Sequence, residues 1–107
     1  MESNLSNASR VVVTKDQVSC DLSGEVAILN LKSGVYYGLD AVGARIWQLI
    51  QEPRTVASIR TVLLSEYEVD PDRCERDLLL LLHALADAGL LEIRDDTAPQ
   101  ILASSVK

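Results

Sequence analysis

Phenylalanine is missing from this 107-residue sequence, and histidine and tryptophan occur once each. A single imidazole leaves little material for catalysis, and no Ser, Cys or acid is placed by local sequence to form a nucleophile with His83. Cysteine is scarce as well. Cys20 and Cys74 are too few for a disulfide scaffold, and without CxxC or HxxxH spacing they do not suggest structural zinc. No catalytic residue, cofactor or metal is expected. Positive charge is also short, ten Lys and Arg against sixteen Asp and Glu, for a net charge of -6. That sign repels a phosphate backbone, whose neutralisation by Lys and Arg supplies most nucleic-acid affinity. Long apolar runs are absent: Leu78–Leu82 is the longest, far below the roughly 20 residues that cross a bilayer. Met1–Arg10 is polar and lacks the apolar stretch of a signal peptide. The expectation is a soluble, cytoplasmic protein with reduced thiols.

The length fits one domain with a real core. Residues 1–9 and 95–107 lack sustained periodicity and are rich in Ser, Asn, Ala and Asp, so both read as flexible tails around a folded unit at 10–94.

The first half of that unit reads as strands. Val18, Cys20 and Leu22 alternate with Ser19 and Asp21, Ser23-Gly24 offers a two-residue turn, and Glu25–Leu31 resumes the extended pattern. A three-residue loop at Lys32–Gly34 then leads to Val35–Leu39. Pairing Leu22 with Glu25 and Leu31 with Val35 gives a meander. One face collects Val18, Cys20, Leu22, Ala27, Leu29, Leu31, Val35, Tyr37 and Leu39, and this is the expected core face. The other holds Ser19, Asp21, Val26, Ile28, Asn30, Tyr36 and Gly38, with Val11–Val13 as a partial cover.

The second half reads as three helices. Asp40 is placed to cap the first, with Val42, Ile46, Leu49 and Ile50 as its stripe, Trp47 at the edge of the core, and Pro53 beyond its end. Gly43 in its interior implies close packing against a neighbouring backbone. Thr55 caps the second, and Asp70 caps the third with Pro71 at its first position and Gly89 past its end. Leu90–Ile93 reads as a short extended tail. The fold class is α+β, a three-stranded antiparallel sheet followed by three helices in a winged helix-turn-helix-like arrangement.

The last helix carries more leucine than one neighbour covers: beyond the Leu78, Leu82 and Leu85 stripe it adds Leu79, Leu80, Leu81 and Ala84. The strand Val35–Leu39 is an edge of the meander with neither Pro nor charge to block pairing. An open edge beside an apolar helix suggests strand addition by a peptide, with Val35 and Tyr37 on one wall and Leu80, Leu81 and Ala84 on the other.

The string GVYYGLDAVGARIWQLI, the Pro53–Val56 segment, Glu66–Pro71 and the leucine-rich helix ending ADAGLLE resemble the PqqD-like RiPP recognition elements over roughly Val18–Ile93. These are small domains that bind the leader peptides of ribosomally made, post-translationally modified peptides. The resemblance implies a peptide chaperone on whose third strand the leader adds antiparallel, in a cleft against the last helix. Carried over by position, the peptide-binding residues are Val35, Tyr36, Tyr37, Arg73, Arg76, Asp77, Leu80, Leu81 and Ala84. A free-standing chain of this size is similar to the recognition proteins of lasso-peptide clusters, which present the precursor to a separate leader peptidase. The relatives in pyrroloquinoline quinone synthesis pair instead with a radical enzyme.

Two other readings compete. A winged-helix DNA-binding protein would use the last helix for recognition, yet Glu66, Glu68, Asp70, Asp72, Glu75 and Asp77 outnumber Arg73 and Arg76 there. A scaffold subunit would use the Val26, Ile28 and Tyr36 face.

Overall fold

The computed structural model describes residues 5–94. In chain order these form β1 (Arg10–Val13), β2 (Gln17–Leu22), β3 (Glu25–Asn30), β4 (Tyr36–Leu39), α1 (Ala41–Leu49), β5 (Arg54–Thr55), α2 (Val56–Glu66), α3 (Pro71–Asp87) and β6 (Leu91–Arg94). The α+β class and the meander-then-helices order hold. A second sheet is added to them: the strands order as β2-β3-β4 and as β5-β1-β6, all antiparallel.

The second sheet uses segments too short to read as strands alone. Val11 pairs with Ile93 and Val13 with Leu91, so the expected extended tail becomes β6. Arg10 pairs with Thr55, which draws the α1–α2 junction onto the same sheet. Leu5 packs on the core, and the carbonyls of Ser9 and Asn7 accept from the first amides of α2, Val56 N and Ala57 N, at 2.9 and 3.1 Å. This part of the presumed N-terminal tail is therefore tied down. Residues 1–4 and the 95–107 tail lie outside the described residues.

The first hairpin forms as expected. Ser23 and Gly24 both take positive φ, the geometry of a tight two-residue turn, and Leu22 faces Glu25, Cys20 faces Ala27 and Val18 faces Leu29. The second hairpin differs by one residue. Asn30 is the cause: its Oδ1 accepts from the amides of Lys32 and Ser33 at 2.8 and 3.1 Å, and its own N–H donates to Val35 O at 3.0 Å. That closes a four-residue loop, Leu31–Gly34, and the shift pairs Ile28 with Tyr37 and Val26 with Leu39.

On β2 and β3 the buried face is the opposite of the expected one, while on β4 Tyr37 and Leu39 face the core as expected, and the one-residue shift puts them on the same face as Ile28 and Val26. Val26, Ile28 and Asn30 are buried, joined by half-buried Tyr37 and Leu39, whereas Val18, Cys20, Leu22, Leu31 and Val35 are exposed. Cys20 is thus not a core residue. The scaffold reading loses its surface, because Val26 and Ile28 belong to the core.

The helix boundaries follow the capping residues. The side chains of Asp40, Thr55 and Asp70 accept from the amides of Gly43, Ser58 and Arg73, as N-caps do. Gly89 at φ 77° ends α3, with Leu90 N donating to Leu85 O and Gly89 N to Ala86 O. Leu78, Leu82 and Leu85 form the buried stripe of α3. Trp47 is only 3% exposed, inside the core rather than at its edge, and its Nε1 donates to Ser19 Oγ at 3.2 Å across to β2. Gly43 is close to side chains rather than to backbone: a Cβ there would meet Leu39 Cβ at 3.1 Å and the capping Asp40 Oδ1 at 3.3 Å.

Candidate functional site

β4 is an edge of its sheet, and beside its C-terminal end the surface opens into a cleft of about 860 Å³. Gly38 and Leu39 of β4 and the first turn of α1, with Val42 and Gly43, form one wall. Arg73, Cys74, Asp77, Leu78 and Leu81 of α3 form the opposite wall, and Tyr67–Asp70, between α2 and α3, close one end. The floor is apolar, with Ile46 and Leu63 from the core.

The edge itself has a defined polarity. Antiparallel pairs alternate between hydrogen-bonded and non-hydrogen-bonded. With Asn30–Val35 bonded, Ile28–Tyr37 and Val26–Leu39 are the next bonded pairs. The N–H and C=O groups of Tyr36 and Gly38 therefore point to the free edge. Tyr36, 73% exposed, presents its ring on the outer face, while Tyr37 packs against the core.

Of the positions singled out in the sequence, Arg73, Asp77 and Leu81 line the cleft. Val35 stands between the Leu31–Gly34 loop and β4, exposed, with its carbonyl accepting from Asn30 N. Arg76 and Leu80 line a separate, shallower depression of about 370 Å³ on α3, together with Leu79 and His83, and Ala84 is exposed but lines neither. The wall opposite α3 is therefore the end of β4 and the start of α1, rather than Val35 and Tyr37.

The residues that sequence reasoning passed over are Gly38, Leu39, Val42 and the Tyr67–Asp70 connection. Val42 belongs to the expected stripe of α1, yet it is left 42% exposed in the first turn and lines the cleft instead. Its signal was faint, since a helical stripe does not say where the neighbouring elements stop.

The electrostatics of the rim are mixed. Asp40 and Asp70 are occupied as helix caps, and Arg73 Nε lies 3.6 Å from Asp77 Oδ2 in an exposed pair. Burial pushes the Cys74 thiol above its ordinary value, so it is protonated at neutral pH. Behind the cleft, Glu66 accepts from Arg45 Nε and Nη2 at 2.9 and 2.8 Å, joining α1 to the end of α2, and these bonds hold the Glu66 carboxyl below its ordinary range. Among the described residues, no three of His, Cys, Asp or Glu cluster in a way that could hold a metal ion, and no helix is long and apolar enough to cross a membrane. The arrangement offers a backbone edge and apolar room for side chains.

Known proteins share this fold. No curated protein sequence matches the chain. Among solved structures, TbiB1 in complex with the TbiA(beta) leader peptide is 43% identical, with a TM-score of 0.72 over 76% of this chain and 94% of that one. A lasso peptide synthetase B1 complexed with the leader peptide is 26% identical, with a TM-score of 0.69 over 77% of this chain and 96% of the other. The PqqD part of Methylobacterium extorquens PqqCD, a stand-alone RiPP recognition element solved by NMR, shares the fold at 22% identity and a TM-score of 0.69, over 83% of this chain and 95% of its own. Residues 25–91, all of β3 through the first residue of β6, match the family model of coenzyme PQQ synthesis protein D, and the chain belongs to that PqqD family.

Proposed function

We propose that this domain binds the leader region of a ribosomally synthesised precursor peptide and presents it to a separate leader peptidase or other maturation enzyme, with no chemistry of its own. The leader adds as a strand to β4, takes hydrogen bonds from Tyr36 and Gly38, and sends alternate side chains into the cleft against α3. The observation that carries this reading is a β4 edge, unpaired among the described residues, opening on an apolar cleft, in a chain similar to two proteins solved with leader peptides. Arg73, Asp77 and Leu81 contact the peptide in the cleft; Arg76, Leu80 and Ala84 lie beyond it and reach only flanking leader residues. The lasso-peptide setting is favoured over a radical-enzyme partner, because the leader-bound relatives are the more similar in sequence. The cytoplasm, where such precursors are made, is the proposed compartment.

Isothermal titration with the leader encoded beside this protein tests the reading. A Kd weaker than about 100 μM, only ~5.5 kcal/mol, overturns it. Two variants test the placement. Tyr36→Pro removes an outward N–H without touching the β3–β4 ladder and should weaken binding about tenfold or more, whereas Tyr37→Pro breaks a ladder bond and should cost stability. Leu81→Asp puts a charge into the cleft and should also weaken binding. If folded Tyr36→Pro and Leu81→Asp proteins bind like the parent, the peptide lies elsewhere.

A further inference from the structure

Gly38 stands in the interior of β4, where glycine weakens a strand and needs a reason. A bulge is one reason, but the ladder runs without interruption from Val26–Leu39 through Ala27–Gly38 to Leu29–Tyr36. A left-handed backbone is another, and Gly38 is not among the residues with positive φ. Crowding is the third, and a Cβ built at Gly38 meets nothing within 4 Å. Gly43, the third residue of α1, shows the contrast, since its Cβ would press on Leu39 and Asp40. The fold of the isolated chain therefore makes no demand for glycine at position 38.

What remains is an approach from outside. Gly38 turns its N–H and C=O to the free edge, and its backbone lines the mouth of the cleft. Its neighbours on the outer face are Ala27, across the ladder, and Tyr36, two residues earlier. Resting on the leader-binding reading, we infer that Gly38 is a specificity position: the leader residue bonded opposite it carries a large aromatic or branched apolar side chain that lies over the bare glycine backbone beside Tyr36. A cross-strand aromatic covering an edge glycine recovers the packing that the glycine forfeits. The leader residues on either side of that one point to the opposite face and enter the cleft. The leader thus needs large side chains at three successive positions, two for the cleft and one for Gly38.

The test uses the full chain and a synthetic peptide of the leader encoded beside this protein, titrated into the parent, Gly38→Ala and Gly38→Val proteins, with thermal melts of each. Both variants should melt at or above the parent temperature, because the added carbons enter open space and suit a strand better than glycine. Affinity should fall in order of size, by about tenfold or more for Gly38→Val. Gly38→Ala keeps the test valid should the larger variant fold poorly. Replacing leader residues one at a time by Ala should then reveal a single position at which the parent and Gly38→Val bind alike. Equal affinity of the parent and Gly38→Val for the intact leader, or a scan with no such position, overturns the inference while leader binding stands. Failure of the parent protein to bind overturns the leader reading and the inference together.

Discussion

Replacing Asn30 by Ala should be among the most damaging single changes available in this fold. Asn30 is 7% exposed, and its carboxamide makes three hydrogen bonds: Nδ2 to Ala88 O at 2.8 Å, and Oδ1 from Lys32 N at 2.8 Å and Ser33 N at 3.1 Å. The first ties the meander sheet to the C-terminal cap of α3, and the other two shape the loop that starts β4. At about 1 kcal/mol each, their loss costs about 3 kcal/mol, before any desolvation of the groups left behind. For a domain of this size that lowers the melting temperature by about 12–24 °C. Trp47 is the single tryptophan and lies in the core, so its fluorescence reports the transition. Asn30→Asp separates the two roles, since it keeps the acceptor for the loop amides but sets a carboxylate against the Ala88 carbonyl. It should retain the loop and lose the tie. A drop below about 4 °C for Asn30→Ala would refute the view that this side chain joins sheet to helix.

Two further outcomes follow from the thiols and the ion pairs. In a Cys20→Ser protein, alkylation of half-buried Cys74 should be slow, and it should slow further when leader peptide is added, because Cys74 lines the α3 wall of the cleft; an unchanged rate at saturating leader would place the peptide away from that wall. The Glu66 carboxyl is held below its ordinary value of 4.5, so its pairing with Arg45 stabilises the fold above that pH and is lost as the pH falls through the depressed value. Glu66→Gln should flatten that part of the acid limb in urea melts between about pH 3 and 6, and a limb identical to the parent's would mean the pair does not couple α1 to α2.

The helices were legible in the sequence because their signals are local. Asp40, Thr55 and Asp70 cap within three residues of themselves, and Gly89 ends α3 by its own backbone conformation. The sheets were less so. A strand has two faces, and the count of apolar residues on β2 and β3 favoured the face that turned out to be exposed. Val26 and Ile28 decided the matter by joining the core cluster beneath α1, which no local rule contains. The β4 register hung on the carboxamide of Asn30, a polar residue whose value lay in bonds to Lys32, Ser33 and Ala88. The cleft was anticipated as a pairing of edge and leucine-rich helix, and Leu81, Arg73 and Asp77 lie in it. Its other wall was missed because it is made where β4 ends and α1 begins, a junction that periodicity does not describe.

The shortness of β4 bears on why its edge is left open. Its four residues turn only Tyr36 and Gly38 outward, which allows about four backbone hydrogen bonds worth about 1 kcal/mol each. Association costs an estimated 4–15 kcal/mol, so the edge alone does not hold a second copy of the chain or any passing strand. A peptide that also buries two side chains in the cleft gains a further 1.5–3 kcal/mol or so from each. Only a strand with side chains matched to the cleft clears the cost, and the net charge of -6 opposes self-association further. The edge needs no Lys or Pro to guard it, because recognition depends on the cleft as much as on the backbone. Widening β4 by two residues should therefore increase self-association before it improves leader affinity.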